Sequence, residues 1–289
     1  MIRTFVQFAR LHTLVGTSLS IIALFLMAQR VAVTSDDYVL LGWTLLACLL
    51  ANVYITGLNQ LTDIEIDKIN KPYLPLASGA YTVRQAQWIV GVCGVLSLVL
   101  ASLFPPYLTA TVVISLLIGT AYSVQPIRLK RFHFWAAFCI IAVRGLVVNL
   151  LIFLHFNYYR NGSWEIPAEV QILTLLIFGY SMLIAWFKDL PDTAGDEAYN
   201  IHTLSIKWGR KRVWLVGSWL FGLLLLGVSA YLHWGLGQLY LAIGQLLLLL
   251  AYFGISRQLQ IDDQRSIARF YQGFWILFFA EYLLFGLLA

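Results

Sequence analysis

The chain has 289 residues, of which 60% are apolar and 11% are charged, and its formal net charge is +5. A mean hydropathy of +0.79 is too high for a soluble domain, which needs a polar exterior. The composition therefore excludes a soluble enzyme. It also argues against nucleic-acid binding, because membrane orientation and attraction to anionic lipid or diphosphate account for the positive charge.

Apolar segments in chain order predict the architecture, since each is long enough to cross a hydrocarbon layer of roughly 30 Å as a helix. They cover residues 12–30, 38–59, 85–104, 107–122, 134–156, 168–188, 213–232, 236–256 and 267–288. We therefore predict an all-α, polytopic membrane bundle of nine transmembrane helices, forming a single domain over residues 1–289.

The basic residues test this assignment and orient it. Sixteen of the 19 Lys and Arg residues fall on the side of the N-terminus, whereas Arg30 and Arg160 lie opposite. By the positive-inside rule, the N-terminus and the polar loops face the cytoplasm. With no organelle transit peptide apparent, we expect either a multi-pass protein of a prokaryotic, cyanobacterial membrane or an already processed chain.

The first acidic motif ends the second predicted helix. Asn59, Asp63 and Asp67 are spaced four residues apart, so they share one face if the helix continues past Leu58. Carboxylates beside an apolar span are costly and are retained where they meet water, a cation or an anionic substrate. Mg²⁺ prefers such oxygen ligands together with phosphate oxygens.

A second acidic motif ends the sixth predicted helix. Asp192 and Asp196 repeat the four-residue step, and Lys188 and Asp189 precede them. Either motif alone could be a solvated loop neutralised by lysines. Two motifs at the same ends of two spans predict a Mg²⁺ site for a diphosphate, with Asp63, Asp67, Asp192 and Asp196 as ligands.

A short repeat follows both acidic motifs. Arg84 and Trp88 begin one helix, and Arg210 and Trp214 begin another with the same R-x-x-x-W-[IL]-V-G pattern. This repeat indicates two related halves, approximately residues 1–133 and 134–289, with the site between them.

The loop after the fourth predicted helix is basic. It runs from Tyr122 to Arg131 and contains Arg128 and Lys130 as candidate diphosphate-binding cations. Such a loop also sets topology, and both side chains could reach the substrate; Lys130 is favoured as the main contact.

Arg144 is the one basic residue deep within a predicted span, with Asn149 soon after it. An unpaired guanidinium there would be expensive. It therefore either pairs internally, for instance with Glu281, or faces a hydrated cavity and holds an acidic acceptor. Arg10 likewise has two interpretations, a site residue or an anchor at the membrane interface.

These motifs resemble the UbiA superfamily of intramembrane aromatic prenyltransferases, over essentially the whole chain. The segments 59–79, 121–131 and 188–196 are similar to the homogentisate prenyltransferase branch, and especially to the homogentisate phytyltransferases of cyanobacteria. The resemblance implies nine helices around a central cavity that opens to the cytoplasm and laterally to lipid. It also implies that the aspartates hold Mg²⁺ and that Asn59, Tyr122, Arg128, Lys130, Arg144, Lys188 and Asp189 bind substrate.

The implied reaction is transfer of an isoprenyl group, most simply phytyl, from its diphosphate to homogentisate with loss of CO₂, in tocopherol synthesis. Alternatives are a sister transferase using solanesyl or geranylgeranyl diphosphate or another acceptor and, from a different class, a cation or lipid carrier. Carriers usually place coupling carboxylates near the midplane of the membrane, whereas these lie at helix ends.

Overall fold

The structure, a computed structural model, describes residues 2–29, 33–191, 193 and 203–289. All the regular elements in this part of the chain are helices. We number the α-helices α1 (Ile2–Phe8), α2 (Leu11–Met27), α3 (Ser35–Thr62), α4 (Ile64–Asn70), α5 (Val83–Ser102), α6 (Tyr107–Ser123), α7 (His133–Ile140), α8 (Val148–Asn161), α9 (Ala168–Phe187), α10 (Leu204–Trp208), α11 (Arg210–Ala230), α12 (Leu239–Arg257) and α13 (Gln264–Leu288).

Seven helical segments of the described chain are long and apolar enough to cross a membrane. The pair α1 and α2 would make an eighth span, although a bend of 74° separates the two helices. The shorter helix α6 has 17 residues. The all-helical membrane fold is thus confirmed, while the count of nine spans and the two related halves stay predictions.

Helix α3 continues past Leu58 as expected but does not run without a break through the first acidic motif. The helix ends at Thr62, and Asp63 has φ −124° and ψ 20°, outside the helical range. Helix α4 then begins at Ile64 and ends before Lys71 and Pro72. Asp63 therefore lies at a break between two helices, and Asp67 lies one turn into the second.

A π-helical turn interrupts the span that contains Arg144. The π turn covers Ile141–Val147 and joins α7 to α8 without a break. At Gly145 an added Cβ would lie 3.1 Å from the Cα of Phe178, so α9 packs directly on the backbone of this turn. Single π turns within α-helices occur frequently at functional sites.

The second half of the chain has an aromatic core. Tyr180, Phe221, Tyr252 and Phe274 are fully buried, and their rings contact one another with centroids 4.8 to 6.1 Å apart. These contacts hold α9, α11, α12 and α13 together through large apolar surfaces and edge-to-face ring geometry. Helix α13 also packs on α2, which gives the cavity between them a fixed wall.

Polar contacts join helix ends at the other end of the bundle. Arg160, near the end of α8, donates to Asp37 in the first turn of α3 at 2.6 Å and also bonds Gln29. His155 is fully buried in α8. Its Nε2 lies 3.0 Å from the hydroxyl of Thr44, so it is a packing residue with a hydrogen-bond partner.

Candidate active site

Asp63 is the centre of a charged cluster at the end of α3. One carboxylate oxygen accepts a hydrogen bond from Arg128 at 2.9 Å, and the other accepts from Lys130 at 2.5 Å. Lys130 also donates to the hydroxyl of Thr62 at 2.9 Å. The break at Asp63 thus brings the first acidic motif against the basic loop, which no spacing in the sequence revealed.

Lys130 is the more buried of the two cations, with 8% of its side chain exposed against 22% for Arg128. Burial lowers the pKa of Lys130 to about 8, although the negative charge of Asp63 opposes the shift. The backbone of Arg128 is left-handed, with φ 37°. Strained conformations of this kind persist where neighbouring structure fixes them, often in binding sites.

Arg10 belongs to the same region, which favours its interpretation as a site residue. It has φ 54°, and its guanidinium donates to Asn59 Oδ1 at 3.1 Å. The amide of Asn59 in turn donates to Asp63 at 3.3 Å. Buried Arg10 Nε has no hydrogen-bond partner among the described residues, so it retains a donor for an anionic ligand.

A cavity of about 280 Å³ begins at Asn59 and extends between the helices. Its lining is mostly apolar and includes residues from α2, α3, α6, the π turn, α9 and α13. Asp63, Arg128 and Lys130 lie outside this lining but are joined to it through Asn59. The site therefore has two parts, a charged cluster and an adjoining, largely apolar chamber.

Lys188 and Tyr122 contribute to the cavity wall near Asn59. The ammonium group of Lys188 donates to the Tyr122 hydroxyl at 3.2 Å and lies 3.4 Å from the carboxylate of Asp189. Lys188 ends α9 and Tyr122 lies near the end of α6, so the contact joins the two halves of the chain. These predicted binding residues do lie together.

Arg144 lines the same cavity, where its contacts are with aromatic rings. Its guanidinium carbon lies 4.6 Å from the ring centre of Trp275 and 5.4 Å from that of Phe278. Glu281 instead accepts a hydrogen bond from Gln245 at 2.7 Å. The suggested pairing of Arg144 with Glu281 is therefore wrong, and aromatic faces take the place of a carboxylate partner.

The described carboxylates fit a hard cation such as Mg²⁺ in their chemistry. Asp63 is mostly buried, and Asp67 is 6% exposed and close enough to Lys130 to interact with its charge. Among the described residues, however, no group of three or more His, Cys, Asp or Glu side chains is arranged to hold a metal. The predicted ligands Asp192 and Asp196 lie outside the part of the chain that the structure describes.

Comparison with known proteins assigns the family. The model of the UbiA prenyltransferase family matches residues 17–280. The chain belongs to the UbiA prenyltransferase family. A homogentisate phytyltransferase of Synechocystis sp. is 44% identical, over 99% of this chain and 95% of that protein. Homogentisate phytyltransferase 1 of Arabidopsis thaliana is 36% identical over 97% of this chain and 74% of its own length.

The UbiA chain is also similar to a relative with a different named donor and to a solved structure. A homogentisate solanesyltransferase of Arabidopsis thaliana is 34% identical over 98% of this chain and 75% of its own length. A UbiA homolog from Archaeoglobus fulgidus, solved with DMAPP and Mg²⁺, superposes with a TM-score of 0.69. At 15% identity, over 97% of this chain and 99% of that one, this superposition establishes the shared fold.

Several cavity residues of this UbiA protein were not singled out by the sequence. His12, Tyr271, Trp275 and Phe278 all line the chamber. A lone histidine early in a helix and aromatics within an apolar span form no pattern that separates them from packing residues. The R-x-x-T spacing of Arg10 and Thr13 was the available signal, and Thr13 accordingly donates to Asn52 at 3.0 Å.

Proposed function

We propose that the chain transfers an isoprenyl group, phytyl in preference to other tails, from its diphosphate to the ring of homogentisate. The observation that carries the proposal is the charged cluster of Asp63, Arg128 and Lys130 beside an apolar chamber that contains Arg144. The 44% identity to a homogentisate phytyltransferase over nearly the whole chain supports the same donor and acceptor.

The diphosphate would bind at the charged end. Asp63 holds Arg128 and Lys130 in place, and Arg10 and Lys188 add positive charge where the cluster meets the cavity. Asp63 and Asp67, with Asp192 and Asp196 from the second motif, would hold Mg²⁺, which would add positive charge beside the leaving group. Preorganised cations stabilise the negative charge that develops as the allylic C–O bond breaks.

The acceptor would bind in the chamber. Arg144 is positioned to pair with its carboxylate, and Tyr271 lines the same space. Trp275 and Phe278, whose rings contact the guanidinium of Arg144, add apolar surface that would keep water away from the allylic cation. Attack by the electron-rich ring on that cation forms the new C–C bond, and loss of CO₂ from the acetate side chain follows.

A competition assay tests the donor and the acceptor together. Protein purified into lipid nanodiscs is incubated with homogentisate, Mg²⁺ and equal amounts of phytyl, geranylgeranyl and solanesyl diphosphates, and the products are weighed by mass spectrometry. We expect the phytylated, decarboxylated quinol to dominate and EDTA to abolish its formation. A dominant product with another tail would overturn the phytyl assignment, and no homogentisate-derived product would overturn the acceptor.

A further inference from the structure

The chamber contains a histidine that the proposed reaction has not used. His12 follows the bend between α1 and α2, lines the cavity, and is exposed. Its ring lies edge-on to Trp275, with ring centres 4.8 Å apart. The guanidinium carbon of Arg144 lies 4.6 Å from the ring centre of Trp275, so His12 and Arg144 contact the same indole.

His12 lies between the two substrate regions assigned above. Two residues before it, Arg10 bonds Asn59, the residue that joins the charged cluster to the cavity. On the other side, Trp275 places the imidazole beside Arg144. A ring attacking an allylic carbon must lie between the diphosphate and the acceptor carboxylate, so His12 is beside the place where the C–C bond forms.

The imidazole has no fixed partner in the described part of the chain, where neither ring nitrogen makes a hydrogen bond to protein. The charged groups close enough to influence it are Arg10, Arg144 and Lys71, and all three are cations. No described carboxylate orients or protonates the ring.

We propose that His12 is a catalytic base that takes the proton released by the acceptor ring; this inference rests on the proposed function. As the C–O bond of the prenyl diphosphate breaks, its electron pair leaves with the diphosphate oxygen. Two ring electrons form the bond to the allylic carbon. The attacked carbon then gives its proton to a nitrogen of His12, and the C–H electron pair restores the aromatic ring.

The same proton completes the loss of CO₂. When the C–C bond to the carboxylate breaks, its electron pair remains on the benzylic carbon, which must gain a proton to become a methyl group. The imidazolium of His12 supplies it and returns to the neutral base. No oxidant, reductant or net proton is needed, because the ring loses one proton and the side chain gains one. Histidine is the commonest side chain for such transfers.

The test uses full-length protein in nanodiscs with homogentisate, phytyl diphosphate and Mg²⁺. Positioned general bases contribute about 10² to 10⁴-fold to rates, so we expect H12A and H12Q to lose about 100-fold in kcat. Mg²⁺-dependent binding of phytyl diphosphate should remain within about twofold of wild type. Added imidazole should raise the kcat of H12A by at least about tenfold, because it can occupy the space left by the deleted ring.

His233 offers a matched control because it is exposed and far along the chain at the end of the α11 segment. H233A should keep the wild-type rate and not respond to imidazole. Wild-type kcat in H12A or H12Q, or a loss in H12A that imidazole does not relieve, would overturn the assignment. Absence of homogentisate prenylation by the wild type would instead overturn the proposed function.

A second measurement serves if H12A does not fold. Homogentisate deuterated at the attacked ring carbon reports how far proton removal limits the rate. In H12Q, which retains a polar side chain of similar size, this step should become rate-limiting, and the isotope effect on kcat should exceed that of the wild type. An unchanged isotope effect would show that His12 only packs against Trp275.

Discussion

At the scale of single residues, the carboxylate of Asp63 organises the site. It lies between Arg128 and Lys130, which would otherwise repel each other, and each of its two oxygens pairs with one of these cations. A diphosphate offers the same two cations a larger negative charge, while Mg²⁺ offers Asp63 a new partner. Binding of substrate and metal would therefore exchange one set of ion pairs for another without exposing a bare charge.

Replacing Asp63 by alanine should remove prenyl transfer while the protein still folds. The variant loses both the proposed metal ligand and the group that positions the cations, and preorganised electrostatic contacts of this kind are worth about 100-fold or more in kcat. Product formation and thermal unfolding in nanodiscs are the measurements. Asp262, which is exposed, provides the control D262A. D192A should behave like D63A, and full activity in either would contradict the metal assignment.

Lys130 and Arg128 should differ in their importance for the diphosphate. Lys130 is more buried, so its ammonium is less screened by water and bonds both Asp63 and Thr62. A charge-assisted hydrogen bond is worth about 1.5 to 3 kcal/mol, or roughly 10- to 100-fold in affinity. We expect K130A to raise the KM for phytyl diphosphate by this factor and R128A by less, with the KM for homogentisate unchanged. The reverse order would make Arg128 the main contact.

The sequence predicted which kinds of residue form the site but not how they are arranged. Paired carboxylates and a basic loop beside apolar spans predict a diphosphate site because charge near lipid is too costly to retain without use. The ion pairs of Asp63 were not predicted, because they join it to residues more than sixty positions away, which local spacing does not report. His12 was missed for the same reason, since its neighbours come from the opposite end of the chain.

At the scale of secondary-structure elements, the apolar runs predicted the helices well because a spanning segment must satisfy its own backbone hydrogen bonds. They could not predict the π turn at Ile141–Val147, whose backbone bonds are fixed by tertiary contacts. Asn149 donates to the carbonyl of Gly145 at 3.1 Å and accepts from Tyr282 at 2.7 Å. Helix α13 thus supports the turn that presents Arg144.

Removing the Tyr282 hydroxyl tests that support. Y282F loses the bond to Asn149, and side-chain hydrogen bonds in membrane proteins contribute on average about 0.6 kcal/mol. We expect a small fall in unfolding temperature and a severalfold rise in the KM for homogentisate, because Arg144 is held less firmly. The KM for the prenyl diphosphate should not change. Equal effects on both substrates would show that Tyr282 stabilises the bundle without positioning Arg144.

Two glycines in helices test how closely the elements pack. At Gly286 an added Cβ would lie 2.9 Å from the Cα of Ala23, so G286A would force α2 and α13 apart. Overpacking of this kind typically costs about 1 to 3 kcal/mol. Gly222 has nothing within 4 Å, and G222A should be neutral or stabilise its helix by up to about 1 kcal/mol. Equal unfolding temperatures for the two variants would contradict the close contact.

At the scale of the whole molecule, residues from both halves of the chain line the cavity. Arg10 and Asn59 come from the first half, whereas Arg144, Lys188 and Trp275 come from the second. The proposed diphosphate cluster and acceptor pocket are therefore complete only when α2, α3, α9 and α13 are packed together. Packing of α13 on α2 closes this arrangement and makes the N-terminal helices part of the site.

Orientation in the membrane is the remaining property of the whole molecule, and the distribution of Lys and Arg predicts it. Basic residues near the ends of spans remain in the cytoplasm, so the loop containing Ala80 should be inside and the loop containing Glu165 outside. Both positions are exposed. The native cysteines Cys48, Cys93 and Cys139 are buried or half-buried, which keeps background labelling low.

Labelling of A80C and E165C with a membrane-impermeant maleimide should therefore differ in intact bacterial cells expressing the protein. We expect E165C to react at once and A80C to react only after the membrane is permeabilised. The wild type, which lacks both introduced thiols, is the control. The opposite pattern would place the Asp63 cluster on the outer side of the membrane. Prenyl diphosphates made in the cytoplasm could not then reach the cluster from the aqueous phase, because the charged headgroup does not cross the hydrocarbon layer unaided.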